Sequence, residues 1–269
     1  MDISIIIVNY HAKGLVRECV KSVIRSAPKC SYEIIVVDNG CESGLAELLK
    51  SRFPSVVYVG LKKNYGFSGG VNAGIALATG TYILVSNMDI TVLPGSLDTL
   101  YGYMEKNPDI GIVGPRLLNP DRTVQQSYYR FHTLMTPVYR RLASSSWIPG
   151  STQNLSHFLM KDCDVSEGMD VDWLLGAALF VRRSSLNKVG LMDSKRFFLY
   201  FEDTDWCRRF WQKGYRVRYV PQATMIHLYG RDSAKKKGLF ALLEKATRTH
   251  IASGMKYFLK YRDDGTKRP

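Results

Sequence analysis

The sequence lacks the features that would place it at once in several large classes of proteins. No apolar run approaches the ~20 residues that a membrane-spanning helix needs. The five cysteines are scattered and form no Cys-x-x-Cys pair, so the pattern predicts neither a zinc knuckle nor a disulfide framework. The amino-terminal residues show no basic leader and no cleavage site, so we expect no secretory signal. Together these absences favour a cytoplasmic, reducing compartment.

Acidic residues are scarce relative to basic ones. The 269 residues include 24 Asp and Glu against 37 Lys and Arg, which gives a formal net charge of +13. Such an excess indicates a polyanionic partner, and nucleic acid, an anionic membrane surface and phosphate-bearing substrates all qualify. Apolar residues make up 45% of the chain, enough to bury a core. Because no low-complexity linker interrupts the chain, we favour one composite domain.

Short β-branched runs alternate with helical patterns along the first half of the chain. The predicted strands are Ser4–Val8, Glu33–Val37, Val56–Val59 and Tyr82–Val85, with helices near 15–26, near 45–50 and beginning at Gly69 and Gly70. This order predicts an α/β fold with a Rossmann-like, mostly parallel central sheet flanked by helices. The second half is less regular. Its clearest patterns predict a helix over Thr204–Lys213 and a strand over Arg216–Val220.

Polar residues follow each of the four predicted strands. Asn9, Asp38, Asn64 and Asp89 are the leading examples, and ligands of open parallel sheets bind where strands end. The glycines of residues 64–74 would let a nucleotide diphosphate come close to the backbone, although tight packing alone would also explain them. A carboxylate at Asp89 could hold Mg²⁺ or Mn²⁺, or simply belong to a turn.

A short acidic run stands beside an aromatic one. Glu202, Asp203 and Asp205 follow five residues of which four are aromatic. The acids could complement the dipole of a predicted helix. Aromatic rings beside carboxylates are also what a sugar site uses, and one carboxylate could take a proton from an attacking hydroxyl. His227 further along is by itself more often a satisfied core or surface residue than a ligand.

Taken in order, these motifs resemble the family 2 glycosyltransferases of GT-A fold, especially bacterial rhamnosyltransferase-like members. Over residues 3–230 the matching pieces are Ile6–Tyr10, Val36–Gly40, Asn64–Phe67, Gly69–Asn72, Asn87–Asp89, Val171–Trp173, Gly176–Ala177 and Phe201–Asp205. The resemblance implies an inverting glycosyltransferase. It would move rhamnose or a similar hexose from a dTDP- or UDP-linked donor to a glycan or lipid-linked acceptor in cell-surface polysaccharide synthesis.

The resemblance also implies a role for each matching position. Val8, Tyr10 and Asp38 would contact the nucleotide base; Asn64, Gly69, Gly70 and Asn87 would lie along the ribose and diphosphate; Asp89 and His227 would hold Mg²⁺ or Mn²⁺; and Asp172 and Trp173 would lie near the sugar and acceptor. Asn87 departs from the family pattern, which usually offers an acid there. The metal affinity implied is therefore modest.

The same resemblance implies that Asp203 is the general base. Its position at a predicted helix start is expected to keep the carboxylate ionised. Glu202 and Asp205 would support it or hold acceptor hydroxyls. The acceptor hydroxyl would then attack the anomeric carbon in a single displacement.

The resemblance divides the chain into three parts. Residues 1–115 are expected to form the nucleotide-sugar-binding half, 116–230 the acceptor-binding and catalytic half of the same domain, and 231–269 a basic helical tail. The tail's predicted apolar stripe is Phe240, Leu243, Thr247, Ile251, Met255 and Phe258. The tail either packs on the core or makes peripheral contact with the inner face of a membrane.

Two other function classes remain open. A catalytically weak protein that only binds nucleotide sugar is favoured by Asn87 alone. A basic nucleic-acid-binding protein fits the charge, but the chain has no recognition-helix, zinc-finger or aromatic–basic RNA-binding pattern. Because the expected active centre is locally acidic, the positive charge must lie elsewhere, largely in the tail. We therefore expect no nucleic-acid partner.

Overall fold

A computed structural model describes residues 1–137, 151–228 and 245–264. The first half contains β1 (Ile3–Asn9), α1 (Lys13–Ser26), β2 (Tyr32–Asp38), α2 (Leu45–Arg52), β3 (Val57–Gly60), α3 (Gly66–Ile75), β4 (Tyr82–Asn87), β5 (Ile90–Val92) and α4 (Ser96–Lys106). Then come β6 (Ile110–Leu118), β7 (Val124–Gln125), β8 (Tyr128–Tyr129), α5 (Ser151–Phe158), β9 (Met169–Asp170), β10 (Trp173–Leu174) and β11 (Ala178–Arg182). The last elements are α6 (Leu186–Val189), α7 (Glu202–Gln212), β12 (Arg216–His227) and α8 (Lys245–Lys260).

Ten strands of the described ranges form one mixed sheet. Eight of them follow the order β3–β2–β1–β4–β11–β6–β12–β5, and β7 and β9 pair with β6 and β12. Strands β1 to β4 are parallel, whereas β11 is antiparallel to both β4 and β6. The α/β class and the mostly parallel sheet are confirmed: six strands run in one direction (β1, β2, β3, β4, β6 and β12), and the antiparallel strands make the sheet mixed. Strand β6 crosses the expected boundary at residue 115, so the two halves share one sheet.

The central strands are covered on both faces. On one face Ile5 and Ile7 of β1 pack with residues of α1, and on the other Ile6 and Val8 pack with Val71 of α3. Burial on both faces explains why these strands are continuous apolar runs. The first polar side chains therefore come where the strands end. Strand register brings Asn9 opposite Asp38 and Val8 opposite Asn87 at that edge.

Helix α8 packs on the domain through a different face from the predicted one. Tyr257 and Tyr261 are buried against Phe197 and Phe201. Ile251, Met255 and Leu259 are 42%, 62% and 68% exposed, so the predicted stripe is wrong at Ile251 and Met255. The contact is made by aromatic and small polar residues, which an aliphatic periodicity does not find. Phe240 and Leu243 lie outside the described residues. None of the helices in the described ranges has the length and hydropathy that crossing a bilayer requires.

Candidate functional site

Asp38 organises the end of β2. Its carboxylate is fully buried and accepts four hydrogen bonds. The donors are Asn9 Nδ2 at 3.2 Å, the Gly40 and Glu42 amides at 3.1 and 2.8 Å, and the Tyr58 hydroxyl at 3.1 Å. These donors fill the ~four acceptor positions of a carboxylate. A ligand N–H can reach Asp38 only by replacing one of them, and the Tyr58 hydroxyl is the donor on the longest side chain.

Two asparagines shape the loop that leads into α3. Asn39 donates to Asn64 Oδ1 at 3.1 Å and to the Gly66 carbonyl at 2.8 Å, and its own Oδ1 accepts from the Tyr65 amide at 2.9 Å. Asn64 Oδ1 also accepts from the Gly66 amide at 2.8 Å. Asn64 therefore turns the loop. Asn39 is an equally placed residue that sequence reasoning left out, although it lies inside the quoted Val36–Gly40 motif.

The glycines of this loop have packing reasons. A Cβ at Gly70 would lie 2.7 Å from Val8 Cγ1, and one at Gly69 would lie 2.7 Å from Tyr65 Cβ. Gly66 has φ +77° and its Cβ would lie 2.1 Å from the Phe198 carbonyl oxygen. Close packing thus accounts for Gly69 and Gly70 without a ligand, and it keeps Val8 almost wholly buried. By contrast, Tyr10 at the end of β1 is 51% exposed.

Asp89 and His227 meet where β5 pairs with β12. His227 Nε2 lies 3.4 Å from Asp89 Oδ1, and both side chains are largely buried. His227 Nδ1 lies 2.8 Å from Gln125 Oε1, while the amide nitrogen of Gln125 donates to Asn119 Oδ1. Because Gln125 therefore presents an oxygen, Nδ1 carries the ring hydrogen. In the neutral ring, Nε2 then presents a lone pair toward the carboxylate.

A carboxylate oxygen and a ring nitrogen that face each other across 3.4 Å are satisfied either by a proton on Nε2 or by a cation bound beside them. Among the described residues, Asp89 Oδ1 accepts no hydrogen bond. The Nδ1–H of His227, fixed by an amide oxygen, is the arrangement that metal-binding histidines adopt. No cluster of three or more His, Cys, Asp or Glu residues able to hold a metal is found in the described ranges. Within the described residues, Asp89 and His227 could supply two ligands of a metal site, and other groups would have to complete it.

The loop at Gly176 and Ala177 connects the metal motif to the acidic run. The backbone N–H of Asn87 donates to the Ala177 carbonyl at 2.9 Å, and the backbone N–H of Gly176 donates to Asp203 Oδ2 at 2.9 Å. Two adjacent peptide groups therefore join the end of β4 to the start of α7. This contact brings Asn87 and Asp203 to one site, although they are far apart in sequence.

Asp203 is partly buried in the first turn of α7. Burial raises its pKa, while hydrogen bonds from the Gly176 and Thr204 amides lower it, and the net change is upward. The expectation that the helix start keeps this carboxylate ionised stays a prediction, and burial acts against it. A raised pKa makes the carboxylate a stronger proton acceptor.

Glu202 beside it is in a less favourable setting for charge. Its side chain is buried, and its Oε2 has no hydrogen-bond partner among the described residues. Burial, and then the charge of Asp203, raises the pKa of Glu202 well above its ordinary range. Where the surroundings of two adjacent carboxyl groups give them different pKa values, the two groups differ in protonation state. Of the two, Glu202 is the carboxyl group that its surroundings push further toward the protonated form.

The Asp205 carboxylate is bound by side chains of the protein itself. It is fully buried, and its two oxygens accept from Arg209, Lys260 and Tyr261. The structure therefore does not support an acceptor-binding role for Asp205. Lys260 and Tyr261 belong to α8, and no local sequence signal connects them to the acidic run.

Asp172 and Trp173 are also enclosed. The Trp173 ring stacks on Tyr129 at 4.4 Å and on His132 at 5.2 Å, and its Nε1 donates to the Arg130 carbonyl. Asp172 Oδ2 accepts from the Phe131 amide at 2.8 Å. Both residues are about 5% exposed. The 128–132 segment covers the Trp173 ring, and the expected place of Asp172 and Trp173 near the sugar and acceptor stays a prediction.

Comparisons with known proteins extend this description. Residues 4–169 match the model of glycosyl transferase family 2. The N-acetylglucosaminyl-diphospho-decaprenol L-rhamnosyltransferase of Mycobacterium tuberculosis is 29% identical over 216 residues, which cover 75% of this chain and 69% of that protein. Rhamnosyltransferase WbbL of Escherichia coli is 26% identical over 265 residues, which cover 96% and 93%.

Solved structures share the fold at low identity. The crystal structure of GalNAc-T7 with UDP, GalNAc and Mn²⁺ superposes with a TM-score of 0.67 at 16% identity, over 97% of this chain and 50% of that one. The crystal structure of S. aureus TarS gives 0.59 at 14% identity, over 85% and 37%. The chain thus spans half or less of the length of these two structures.

The mixed α/β sheet and the acids gathered at its carboxyl edge define a glycosyltransferase of the GT-A class. The family match covers more than half of the 269 residues. The chain belongs to glycosyl transferase family 2.

Proposed function

We propose that this enzyme transfers rhamnose or a similar hexose from a nucleoside diphosphate donor to a lipid-linked or glycan acceptor in cell-surface polysaccharide synthesis. The names of the two rhamnosyltransferase relatives support the sugar, and the name of the mycobacterial one supports a lipid diphosphate acceptor. The observation that carries the proposal is the 176–177 loop, which joins the Asn87 strand end to Asp203. Donor phosphates and a candidate base thereby share one site.

The nucleotide lies along the carboxyl edge of β1, β2 and β4. The exposed Tyr10 ring covers the base, and Asp38 accepts the base N–H in place of the Tyr58 hydroxyl. Asn64 and the start of α3 lie beside the ribose and diphosphate. Val8, Gly69 and Gly70 form the floor, where Gly70 packs on Val8 and Gly69 packs on Tyr65. A dTDP- or UDP-linked donor fits these contacts equally.

Asp89 and His227 fit a divalent metal, because the carboxylate oxygen and the ring nitrogen already face each other. Such an ion, Mg²⁺ or Mn²⁺, neutralises charge on the departing nucleoside diphosphate. The imidazole ligand favours Mn²⁺, since Mg²⁺ prefers oxygen ligands. Asn87 beside them is neutral, so the donor phosphates must supply much of the negative charge. The metal and the donor are therefore expected to bind together.

Asp203 takes the proton from the attacking acceptor hydroxyl. Its charge is preserved because Glu202 holds the proton of the pair, and Gly176 fixes the orientation of its carboxylate. With the base on one side of the anomeric carbon and the diphosphate on the other, the displacement inverts the configuration. Glu202 acts as a neutral neighbour rather than as a second base.

The tail contributes a membrane-facing surface. The exposed Ile251, Met255 and Leu259 recur every fourth residue on α8, and residues 245–260 contain basic but no acidic side chains. Such a surface suits an anionic bilayer that holds a lipid-linked acceptor, which would make the enzyme peripheral on the inner membrane face. Lys235, Lys236 and Lys237, which belong to the same basic tail, lie outside the described residues.

A vesicle sedimentation experiment tests this surface. The enzyme is expected to pellet with phosphatidylglycerol vesicles but not with neutral phosphatidylcholine vesicles, and Met255→Asp should reduce pelleting because it places a charge in the apolar row. Leu134→Asp, which places the same charge at an exposed apolar residue outside α8, serves as the control. Equal pelleting with both lipids, or no effect of the substitution, would contradict a membrane role for α8.

A transfer assay tests the proposed reaction. The enzyme is incubated with Mn²⁺, a dTDP- or UDP-linked sugar and N-acetylglucosamine linked to a short-chain prenyl diphosphate. The masses of the products are measured by mass spectrometry. We expect acceptor carrying one added sugar, with dTDP-rhamnose as the best donor. Donor binding without any product would instead favour a nucleotide-sugar-binding protein.

A further inference from the structure

The buried carboxylate of Asp205 depends on a helix that is distant in sequence. Its Oδ1 accepts from Lys260 Nζ at 2.6 Å and from the Tyr261 hydroxyl at 2.8 Å, and its Oδ2 accepts from Arg209 Nε at 2.9 Å. Arg209 lies one turn along α7 itself. Lys260 and Tyr261 lie at the end of α8, 55 and 56 residues further along the chain. Without them, a fully buried charge would lose two of its three partners.

A second tie joins the same two helices. Arg208 of α7 is 2% exposed, donates to the Tyr257 hydroxyl at 3.1 Å and lies over the Tyr261 ring at 4.4 Å. Guanidinium groups stack on aromatic rings when both are withdrawn from water. Two successive turns of α8 therefore contact the second turn of α7. We refer to Tyr257, Lys260 and Tyr261 as the α8 clamp.

The entry to α7 has an unusual backbone. Tyr200 and Phe201 both adopt positive φ, at 70° and 67°, directly before Glu202 and Asp203. Non-glycine residues hold such conformations only where their surroundings fix them. The Phe201 ring packs on Tyr257 at 5.4 Å, and a Cβ at Gly254 would lie only 3.2 Å from that ring. Helix α8 therefore supplies the surface that fixes the turn before Asp203.

Lys260 also holds the segment that leads to this turn. Its ammonium lies 3.1 Å from Asp193 as well as 2.6 Å from Asp205. The same segment is tied to α3 on the donor side, where Asn72 exchanges hydrogen bonds with the Met192 backbone and the Phe67 amide donates to the Phe198 carbonyl. Residues 192–201 are thus held between α3 and α8. Lys260 therefore contacts both the start of this segment, at Asp193, and the helix that contains Asp203, at Asp205.

We propose that the α8 clamp is a positioning device for catalysis: Lys260 and Tyr261, by holding Asp205, fix the first turn of α7 and the direction of the Asp203 carboxylate. The clamp lies well beyond residue 169, where the family match ends, so the matched region alone does not contain it. The proposal rests on Asp203 being the base of the proposed function. The clamp residues do not touch substrate. They act through Asp205 and Phe201.

Steady-state kinetics on four variants of the full chain test the clamp. Lys260→Met and Tyr261→Phe are expected to lower kcat, by roughly 10²-fold and less respectively, because small misplacements of a reacting group are costly. The donor KM should stay near wild type, since the donor contacts are on the other side of residues 192–201. Lys260→Arg keeps the charge and should recover most of kcat. Lys213→Met is the matched control, because it removes an exposed lysine at the far end of α7.

The outcomes separate the clamp from general stability and from the base assignment. Should Lys260→Met fail to fold by circular dichroism, Tyr261→Phe decides, because it removes one hydrogen bond and no charge. Wild-type kcat in Tyr261→Phe and in a folded Lys260→Met overturns the clamp. So does a fall in kcat that Lys213→Met shares. Full activity in Asp203→Asn would overturn the proposed base instead, whatever the clamp variants do.

Discussion

Asp203→Asn is expected to lower the transfer rate by about 10²–10⁴-fold, the range that a positioned general base contributes. An amide cannot accept the proton of the acceptor hydroxyl. The Gly176 amide can still donate to the side-chain oxygen, so the local fold is retained. Donor affinity should remain near wild type, because the donor contacts lie at the ends of β1, β2 and β4. Turnover with saturating donor and acceptor, beside donor titration, measures both effects.

Glu202→Gln is the matched control for this substitution. Glutamine has the shape of a protonated glutamate, and the buried Glu202 holds its proton because burial raises its pKa. The variant should therefore keep most of the turnover. Equal losses in the two variants would show that the pair works as one unit, and full activity in Asp203→Asn would remove Asp203 as the base.

The pH profile carries the same assignment. A base must be unprotonated before attack, so kcat/KM falls as the pH drops through its pKa. Because burial raises the pKa of Asp203, this fall should occur above the ordinary range of an aspartate.

Asp89→Asn is expected to remove the metal-dependent stabilisation of the donor complex. In the wild-type enzyme, Mn²⁺ with UDP or dTDP should raise the melting temperature more than either alone, since ligands that bind together stabilise the folded state. A ligand at 100 times its Kd adds about 2.7 kcal/mol to the free energy of unfolding. Asparagine is neutral, and it would leave His227 as the one strong protein ligand of the pair. The joint shift should then collapse to that of the nucleotide alone.

Two further variants make the metal prediction specific. Glu47→Gln removes one negative charge from the exposed side of α2 and should leave the joint shift unchanged. Gln125→Ala removes the partner of His227 Nδ1. It should weaken the apparent Mn²⁺ affinity by about 10–100-fold, because this hydrogen bond orients the ring toward the metal. An undiminished joint shift in Asp89→Asn would contradict the assignment of Asp89 to the metal.

The first half of the fold could be predicted from the sequence because its strands are buried on both faces. Continuous apolar runs such as Ile3–Val8 have few alternative interpretations, and the polar residues that end them mark the binding edge. The α/β class and the glycosyltransferase family are confirmed by the fold and the family match. The mixed part of the sheet was harder. Strand β6 contains two glycines and a proline, and its burial comes from neighbours distant in sequence.

The residues of the candidate site likewise fall into those that the sequence could predict and those that it could not. Asp38, Asp89 and Asp203 stand in local motifs, so the sequence alone marks them. Their partners are another matter, since Gln125 meets His227 across 102 residues and Lys260 meets Asp205 across 55. Such long-range contacts cannot be predicted from composition or from the spacing of residues. The burial of Trp173 could not be predicted for a related reason, because an aromatic residue beside an acid is common to sugar sites and to cores.

The anomeric configuration of the product tests the central claim most directly. The product of the transfer assay is purified, and the coupling between its anomeric carbon and hydrogen is measured by NMR. A single displacement with Asp203 as base predicts a linkage of opposite configuration to that of the donor, formed by wild type and Glu202→Gln but not by Asp203→Asn. A product that keeps the configuration of the donor would contradict that mechanism.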